Sequence, residues 1–200
     1  MNHFFNLLFL ISVLAADTLR AEEANISLSL PFTKSAKASV LIQTQEQGKV
    51  FSQVLNNANR EPVSIVISLS RQRAFVYVGN RLAIDSPICS GKRTGMTPKG
   101  QFTILEKDLN HRSTIYGNFV DNLGRVVKAG VSTRIDSAPS GTHFVGAPMK
   151  RFLRMTLKGI GLHAGYLPGY PDSHGCIRLP ADMATIIYNM VPLGTPVVVE

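Results

Sequence analysis

In VSIVISLS, residues 63–70, apolar residues at positions 65, 67 and 69 alternate with serines at 64, 68 and 70, the two-residue period of a half-buried strand. A second run, RAFVYV, leads into Gly79 and Asn80, a pair typical of two-residue hairpin turns, and RLAIDSPICS follows. The pattern therefore predicts a β-hairpin. The glycine, proline and threonine content of GKRTGMTPKG predicts a loop, and QFTIL predicts another strand.

The second half of the chain combines short β-like segments with one helical pattern. Residues 106–158 are rich in turns and contain His111 and His143. Each is a lone histidine that we expect to be exposed to solvent, and the sequence assigns it no role. RMTLKGIGLHAG predicts a strand that runs to His163. In ADMATIIYNMV, apolar residues recur at the spacing of one helix face, PLGTP ends the helix, and VVVE predicts a closing strand. One helix among many short strands predicts a mainly β domain.

The first 60 residues differ in pattern from the rest. Residues 4–16 form an apolar stretch too short to span a bilayer, which takes about 20 residues, but suited to a secretory leader. The n-region has no lysine or arginine, so a buried helix is the alternative. We expect a signal peptide at 1–21, an arm or linker at 22–60 with a helix near Gln47–Ala58, and the main folded domain at 61–200. The exported chain is expected to have no stable membrane span and to act as a monomer.

Composition and charge narrow the choice of partners. The chain has 200 residues, is 44% hydrophobic, and carries 21 Lys and Arg against 13 Asp and Glu, a formal charge of +8. The basic residues are scattered and do not alternate with aromatics, so the sequence argues against nucleic acid. A basic excess also suits other polyanions, including cell-wall polymers.

Candidate chemistry is concentrated at DSHGCIRLP, residues 172–180, which is preceded by His163. His163, His174 and Cys176 are all legitimate zinc ligands, but no familiar ligand spacing such as CxxC or HExxH is present. The cysteine fits a buried turn residue as well as a nucleophile. Two imidazoles and Arg178 would favour the thiolate, and Gly175 lets backbone N–H groups approach a bound carbonyl. The residues alone leave the three interpretations open.

The segment IGLHAGYLPGYPDSHGCIRLP resembles the signature of the L,D-transpeptidase, or YkuD-type, catalytic domain. That signature is a histidine, a variable stretch, Ser/Thr-His-Gly-Cys, an apolar residue and often arginine. SPICSGKRTGMTPKGQFTIL resembles the preceding family segment with its Thr-Pro-x-Gly-x-Phe pattern, so the resemblance covers about residues 62–200. It implies a β-sandwich-like domain with one or two short helices.

The resemblance also implies a function and a set of roles. The expected enzyme is exported, acts on peptidoglycan stem peptides in the periplasm or cell envelope, and needs no metal or cofactor. Cys176 is the nucleophile that forms a thioester, His163 is its base, held by a backbone carbonyl, and His174 lines the site. The N–H groups of Gly175 and Cys176 stabilise the oxyanion. Ser173 and Arg178 orient the loop and the substrate. Hydrolysis in place of transfer, or a wall-binding module without activity, are the alternatives.

Two features depart from the family pattern. The stretch from His163 to His174 spans 11 positions, toward the short end for the family. Cys89 stands where relatives usually carry serine or threonine, near the expected cleft. Although a disulfide with Cys176 would block the nucleophile, we expect Cys89 to be a free, buried thiol, because unpaired cysteines are usually buried and inert.

Overall fold

Three β-sheets make up most of the computed structural model, which describes residues 46–56 and 61–200. Two helices, one near each end of the described chain, accompany them. The predicted mainly β class is confirmed. The predicted leader and the parts of the arm at residues 22–45 and 57–60 lie outside the described residues.

The largest sheet has six strands in the order β1-β4-β3-β2-β13-β5. Its strands are β1 (Lys49–Val50), β2 (Val63–Ser68), β3 (Arg73–Val78), β4 (Arg81–Pro87), β5 (Gly100–Thr103) and β13 (Pro196–Val199). Val78 pairs with Arg81, so Gly79 and Asn80 form the predicted two-residue hairpin turn. The predicted closing strand inserts between β2, with which it is parallel, and β5, with which it is antiparallel.

A second sheet of four strands, in the order β12-β11-β10-β6, carries the candidate site. Its strands are β6 (Glu106–Asp108), β10 (Phe152–Arg154), β11 (Gly161–Ala164) and β12 (Ile177–Leu179). The single strand predicted for RMTLKGIGLHAG is wrong, because the chain turns back between β10 and β11. The Met155 N–H donates to the carbonyl of Ile160, 2.9 Å away, and the turn contains Gly159 at a φ of +86°.

The third sheet has three strands in the order β8-β7-β9 and comes from the stretch predicted only as turns with short β-like pieces. Its strands are β7 (Arg112–Asp121), β8 (Val126–Ser132) and β9 (Thr142–Pro148), all antiparallel to their neighbours. The outer strand β8 exposes five of its seven residues. This explains the weak two-residue pattern of its sequence.

The helices are α1 (Ser52–Asn56) and α2 (Ala181–Met190). The second helix matches the prediction and buries Met183, Ala184 and Ile187. The first begins at Ser52, five residues later than the helix predicted near Gln47–Ala58, because Lys49 and Val50 instead pair with β4. Residues 57 and 58 lie outside the described residues. Neither helix has the length and apolar character that a membrane-spanning helix requires, in the part of the chain that the structure describes.

One hydrophobic core joins the six-stranded sheet, the four-stranded sheet and α2. Ile65 and Val76 enter it from the first sheet, Leu162 and Ile177 from the second, and Ile187 from the helix, each almost fully buried. Because β11 and β12 take part in this core through these side chains, the backbone that carries the candidate site is fixed by packing.

Candidate active site

A cavity of about 900 Å³ contains most of the residues that the sequence singled out. His163, Ser173, His174, Cys176 and Arg178 line it. Other lining residues come from the third sheet, among them Ser113–Tyr116 of β7 and Ala147 and Pro148 of β9. The cavity is large enough for a ligand rather than a single water molecule.

The parallel pair β11 and β12 brings His163 and Cys176 together. His163 pairs with Arg178, and Leu162 pairs with Ile177, so Cys176 enters β12 beside the start of β11. There the backbone of Gly161, two residues before His163, hydrogen-bonds the cysteine. Residues two apart on a strand share a face. The thiol and the imidazole therefore reach the same cavity from adjacent strands.

His163 is 7% exposed and its ring is fixed by one hydrogen bond. Its Nδ1 lies 2.8 Å from the carbonyl oxygen of Ala164. A carbonyl only accepts hydrogen bonds, so Nδ1 carries the proton and Nε2 is left with a free lone pair. Burial lowers the pKa of His163 to about 4, against the effect of this hydrogen bond, and the nearby Arg178 and His111 lower it further. The ring is therefore neutral at pH 7.

Cys176 is a thiol in the resting site. Burial raises the pKa of Cys176, and the Gly161 backbone and Arg178 oppose that rise. The Sγ–H group points toward the carbonyl of Gly159, 3.6 Å away. A neutral imidazole and a protonated thiol thus line the same cavity, and the resting site holds no stored thiolate.

The loop before Cys176 is held by Ser173, which is 2% exposed. The Ser173 Oγ donates to the carbonyl of Cys176 at 2.5 Å and accepts the N–H of Gly175 at 3.0 Å. Ser173 thus orients the loop, although its hydroxyl is engaged within it. Gly175 is buried at a φ of +129°, and its N–H is already hydrogen-bonded, whereas no hydrogen bond among the described residues uses the N–H of Cys176.

His174 and Arg178 flank the cavity in different ways. The His174 ring is exposed and stacks on Tyr116, with centroids 4.1 Å apart and an interplanar angle of 18°. Partial burial and the neighbouring Lys92 and Arg178 lower the pKa of His174. The Arg178 guanidinium donates to the carbonyls of Asp172, at 3.3 Å, and Tyr166, at 3.5 Å. It therefore ties together the two ends of the stretch between His163 and His174.

A second segment, residues 89–97, is hydrogen-bonded to this loop. The N–H and the carbonyl of Cys89 both hydrogen-bond to Arg178, and the carbonyl of Ser90 accepts the N–H groups of Asp172 and Ser173. The Cys89 Sγ accepts the Asp172 N–H at 3.2 Å. Cys89 is fully buried, and burial raises the pKa of its thiol. Both cysteines are unpaired in the structure, as we expected for Cys89.

His111, to which the sequence assigned no role, lies on the cavity wall. Its Nδ1 is 3.0 Å from an Asp108 carboxylate oxygen, and its ring stacks on Phe152 with centroids 4.3 Å apart. The expectation of a solvent-exposed side chain is thus wrong for His111, which is 18% exposed. It holds for His143. A lone histidine in a turn-rich stretch gives no signal of this contact.

The cavity wall is cationic. Arg134, Arg154, Lys158 and Arg178 line it together with three histidines, and no aspartate or glutamate is among the lining residues. Of these, Arg154 is paired with Glu106 at 2.5 Å. No group of three or more potential metal ligands occurs within residues 46–56 and 61–200. The wall suits a ligand that carries carboxylates.

Comparison with known proteins assigns the family. The model of the L,D-transpeptidase catalytic domain (YkuD) matches residues 62–199, so the chain belongs to this family. A comparison with curated proteins finds no match.

Solved structures of the same class share the fold. An L,D-transpeptidase from Mycobacterium smegmatis is 25% identical, with 69% of this chain and 58% of that chain covered and a TM-score of 0.52. The avibactam carbamoyl enzyme of Ldtfm is 25% identical, over 70% and 49% of the two chains, with a TM-score of 0.50. An L,D-transpeptidase from Xylanimonas cellulosilytica, 20% identical, covers 74% and 68%, with a TM-score of 0.51, and supports the fold alone. The chain spans about six-tenths of the length of the first of these relatives.

Proposed function

We propose that the chain is a cysteine-dependent L,D-transpeptidase that cross-links or remodels peptidoglycan stem peptides through a thioester acyl-enzyme. The observation that carries this proposal is the arrangement of a buried, neutral, tautomer-fixed His163 and the Cys176 thiol on one cavity wall. Membership of the family supports the reaction class. The cationic wall supports an acidic peptide as substrate.

In the first half-reaction, Cys176 attacks the amide between an L-centre and the terminal D-residue of the donor stem. The thiol proton passes to the free Nε2 of His163 as the Sγ–C bond forms. The negative charge on the former carbonyl oxygen faces the N–H of Cys176. When the C–N bond breaks, His163 returns the proton to the leaving amine. The terminal D-residue departs, and a thioester remains.

In the second half-reaction, an acceptor amine attacks the thioester and gives a proton to Nε2 of His163. The C–S bond breaks, the Cys176 sulfur takes back a proton, and a new amide joins donor and acceptor. The peptides approach through the cavity that His174 and Arg178 line, where the His174 ring stacks on Tyr116. We further propose that residues 1–21 direct export, that residues 22–60 form an arm, and that a monomer works in the periplasm or cell envelope.

Analysis of products from purified muropeptides tests this function. The chain is incubated with disaccharide tetrapeptides, and the mixture is separated and weighed by mass spectrometry. We expect cross-linked dimers and, with an added free D-amino acid, exchange of the terminal residue. Tripeptides alone would instead indicate an L,D-carboxypeptidase with water as the acceptor. Unchanged muropeptides that nonetheless bind would indicate a wall-binding module.

A chelator arm in the same experiment tests the expected absence of a metal. Activity should be unchanged after incubation with EDTA, because every group in the proposed steps belongs to the protein or the substrate. Strong inhibition that zinc reverses would contradict this proposal.

A further inference from the structure

The hydroxyl of Thr97 links the N–H of Gly91 to the carbonyl of Gly175, the residue before the candidate nucleophile. Thr97 is 3% exposed, and its Oγ1 lies 2.9 Å from the N–H of Gly91 and 2.8 Å from the carbonyl oxygen of Gly175. Gly175 stands 78 positions later in the chain. The contact therefore joins the loop of residues 91–97 to the loop that carries Cys176.

The direction of both hydrogen bonds is determined by the groups involved. The Gly91 N–H only donates, and the Gly175 carbonyl only accepts. The Thr97 hydroxyl must therefore accept from Gly91 and give its one proton to Gly175. The result is a short chain of aligned dipoles that ends on the peptide group between Gly175 and Cys176. Hydrogen bonds arranged in such a chain strengthen each other, by about 10–30% per bond.

The same peptide group supplies the N–H of Cys176. A carbonyl that accepts a hydrogen bond draws electron density from its amide nitrogen, which makes the N–H a better donor. This N–H has no acceptor among the described residues and adjoins the sulfur that would attack a substrate. We propose that Thr97 is a positioning residue that orients and polarises the Gly175–Cys176 peptide, so that the Cys176 N–H stabilises the oxyanion. This inference rests on the proposed function.

The surroundings leave this peptide little freedom to find another orientation. A Cβ atom added to Gly175 would lie 2.7 Å from the carbonyl oxygen of Met96, so the two backbones are in close contact. On the other side, the Ser173 hydroxyl holds the carbonyl of Cys176. Because Ser173 also occupies the Gly175 N–H, only the Cys176 N–H, of the two N–H groups expected at the oxyanion, is without a hydrogen-bond acceptor among the described residues.

The test compares two reactions of Cys176 that differ in one respect. Acylation by a tetrapeptide donor develops an oxyanion, whereas alkylation by iodoacetamide does not. Thr97→Val removes the hydroxyl at nearly constant volume, and Thr97→Ser keeps it. We expect Thr97→Val to slow acylation about 10-fold, less than the 100-fold or more that loss of a direct oxyanion donor costs. The alkylation rate of Thr97→Val should stay within about twofold of the wild-type rate. The acylation rate of Thr97→Ser should stay within about threefold of the wild-type rate.

Thr195→Val is the matched control. Thr195 is also 3% exposed, and its hydroxyl also donates to a backbone carbonyl, but that carbonyl is the one of Pro192, 2.8 Å away, which does not belong to the loop that carries Cys176. The Thr195→Val variant should lose about as much stability as Thr97→Val, but it should be acylated at the wild-type rate. If Thr97→Val does not fold, Thr97→Ala is judged by the same criteria.

Three outcomes would overturn the inference or its basis. Equal acylation in Thr97→Val and Thr195→Val would contradict it. An equal loss of acylation and alkylation in Thr97→Val would show a structural role alone. A wild type that no donor acylates would refute the proposed function. In that case the amide ¹⁵N shift of Cys176 still reports on the geometry: it should move upfield in Thr97→Val and not in Thr195→Val.

Discussion

The Nδ1–H of His163 donates its hydrogen bond to the carbonyl oxygen of the next residue, Ala164, 2.8 Å away. A neutral carbonyl fixes the ring's tautomer as firmly as a carboxylate would, but it stabilises an imidazolium less. In this buried setting the neutral ring is strongly favoured. The candidate base is therefore unprotonated at neutral pH, with the lone pair of its Nε2 free.

The two cysteines should differ in function. Cys176→Ala should abolish turnover with little change in the thermal unfolding midpoint, because the side chain is small and the hydrogen bond from its Sγ to the Gly159 carbonyl is long, at 3.6 Å. Cys89→Ser should remain active, because the hydroxyl can still accept the Asp172 N–H. Muropeptide turnover and calorimetry measure both effects. An inactive Cys89→Ser, or a two-proton mass deficit under non-reducing conditions that this substitution removes, would indicate a working disulfide instead.

The proton acceptor of Cys176 should be His163 and not His174. Burial raises the pKa of Cys176, and His163 is proposed to take the thiol proton during attack. Loss of this imidazole should therefore move the pH midpoint of alkylation upward, toward the raised pKa of the thiol itself. We expect this shift in His163→Ala. His174→Ala is the control, because that ring is exposed and stacked on Tyr116. A shift in His174→Ala with none in His163→Ala would reverse the two roles.

His163 should make the fold sensitive to acid. The pKa of this ring is lowered to about 4 from an ordinary 6.5, so the unfolded chain binds the proton more tightly between these values. The contribution of His163 to the free energy of unfolding is fully present above pH 6.5 and falls toward pH 4, with a loss of about 2 kcal/mol by pH 5. His163→Gln should remove that loss, whereas His143→Gln, at an exposed site, should keep it. Urea unfolding at pH 7 and pH 5 provides the comparison, and parallel losses in wild type and His163→Gln would disprove the assignment.

Ser173 should matter through its loop contacts. Ser173→Ala leaves the Cys176 carbonyl and the Gly175 N–H without their partner, at a cost of about 1–3 kcal/mol. Ser173→Thr keeps the hydroxyl and should restore most of the stability. Chemical denaturation measures both variants. Equal stabilities of Ser173→Ala and the wild type would mean that the hydroxyl does not secure the loop.

Local sequence patterns predicted the parts of the fold that depend on near neighbours. The hairpin at Gly79 and Asn80 and the helix Ala181–Met190 follow from turn chemistry and from helical spacing. The turn between β10 and β11 was missed because Leu157, which is 94% exposed, continues the apolar pattern through it. The third sheet was missed in the same way, since the exposed strand β8 shows no alternation.

For the site, the family resemblance identified the candidate residues but not the contacts that fix their positions. Cys89 and Arg178 pair through their backbones, and Thr97 reaches Gly175, across long separations in sequence. Such contacts depend on how the sheets pack, and no local pattern encodes them. His111 is a similar case, because its place on the cavity wall depends on Asp108 and Phe152.

Intact-protein mass spectrometry with a tetrapeptide donor tests the central claim most directly. The wild type should gain, at one site, the mass of the donor minus its terminal D-residue, and peptide mapping should place the thioester on Cys176. Cys176→Ala should gain nothing, and Cys89→Ser should behave like the wild type. An adduct that persists in Cys176→Ala, or products that form while no adduct is detected on rapid quenching, would contradict the account.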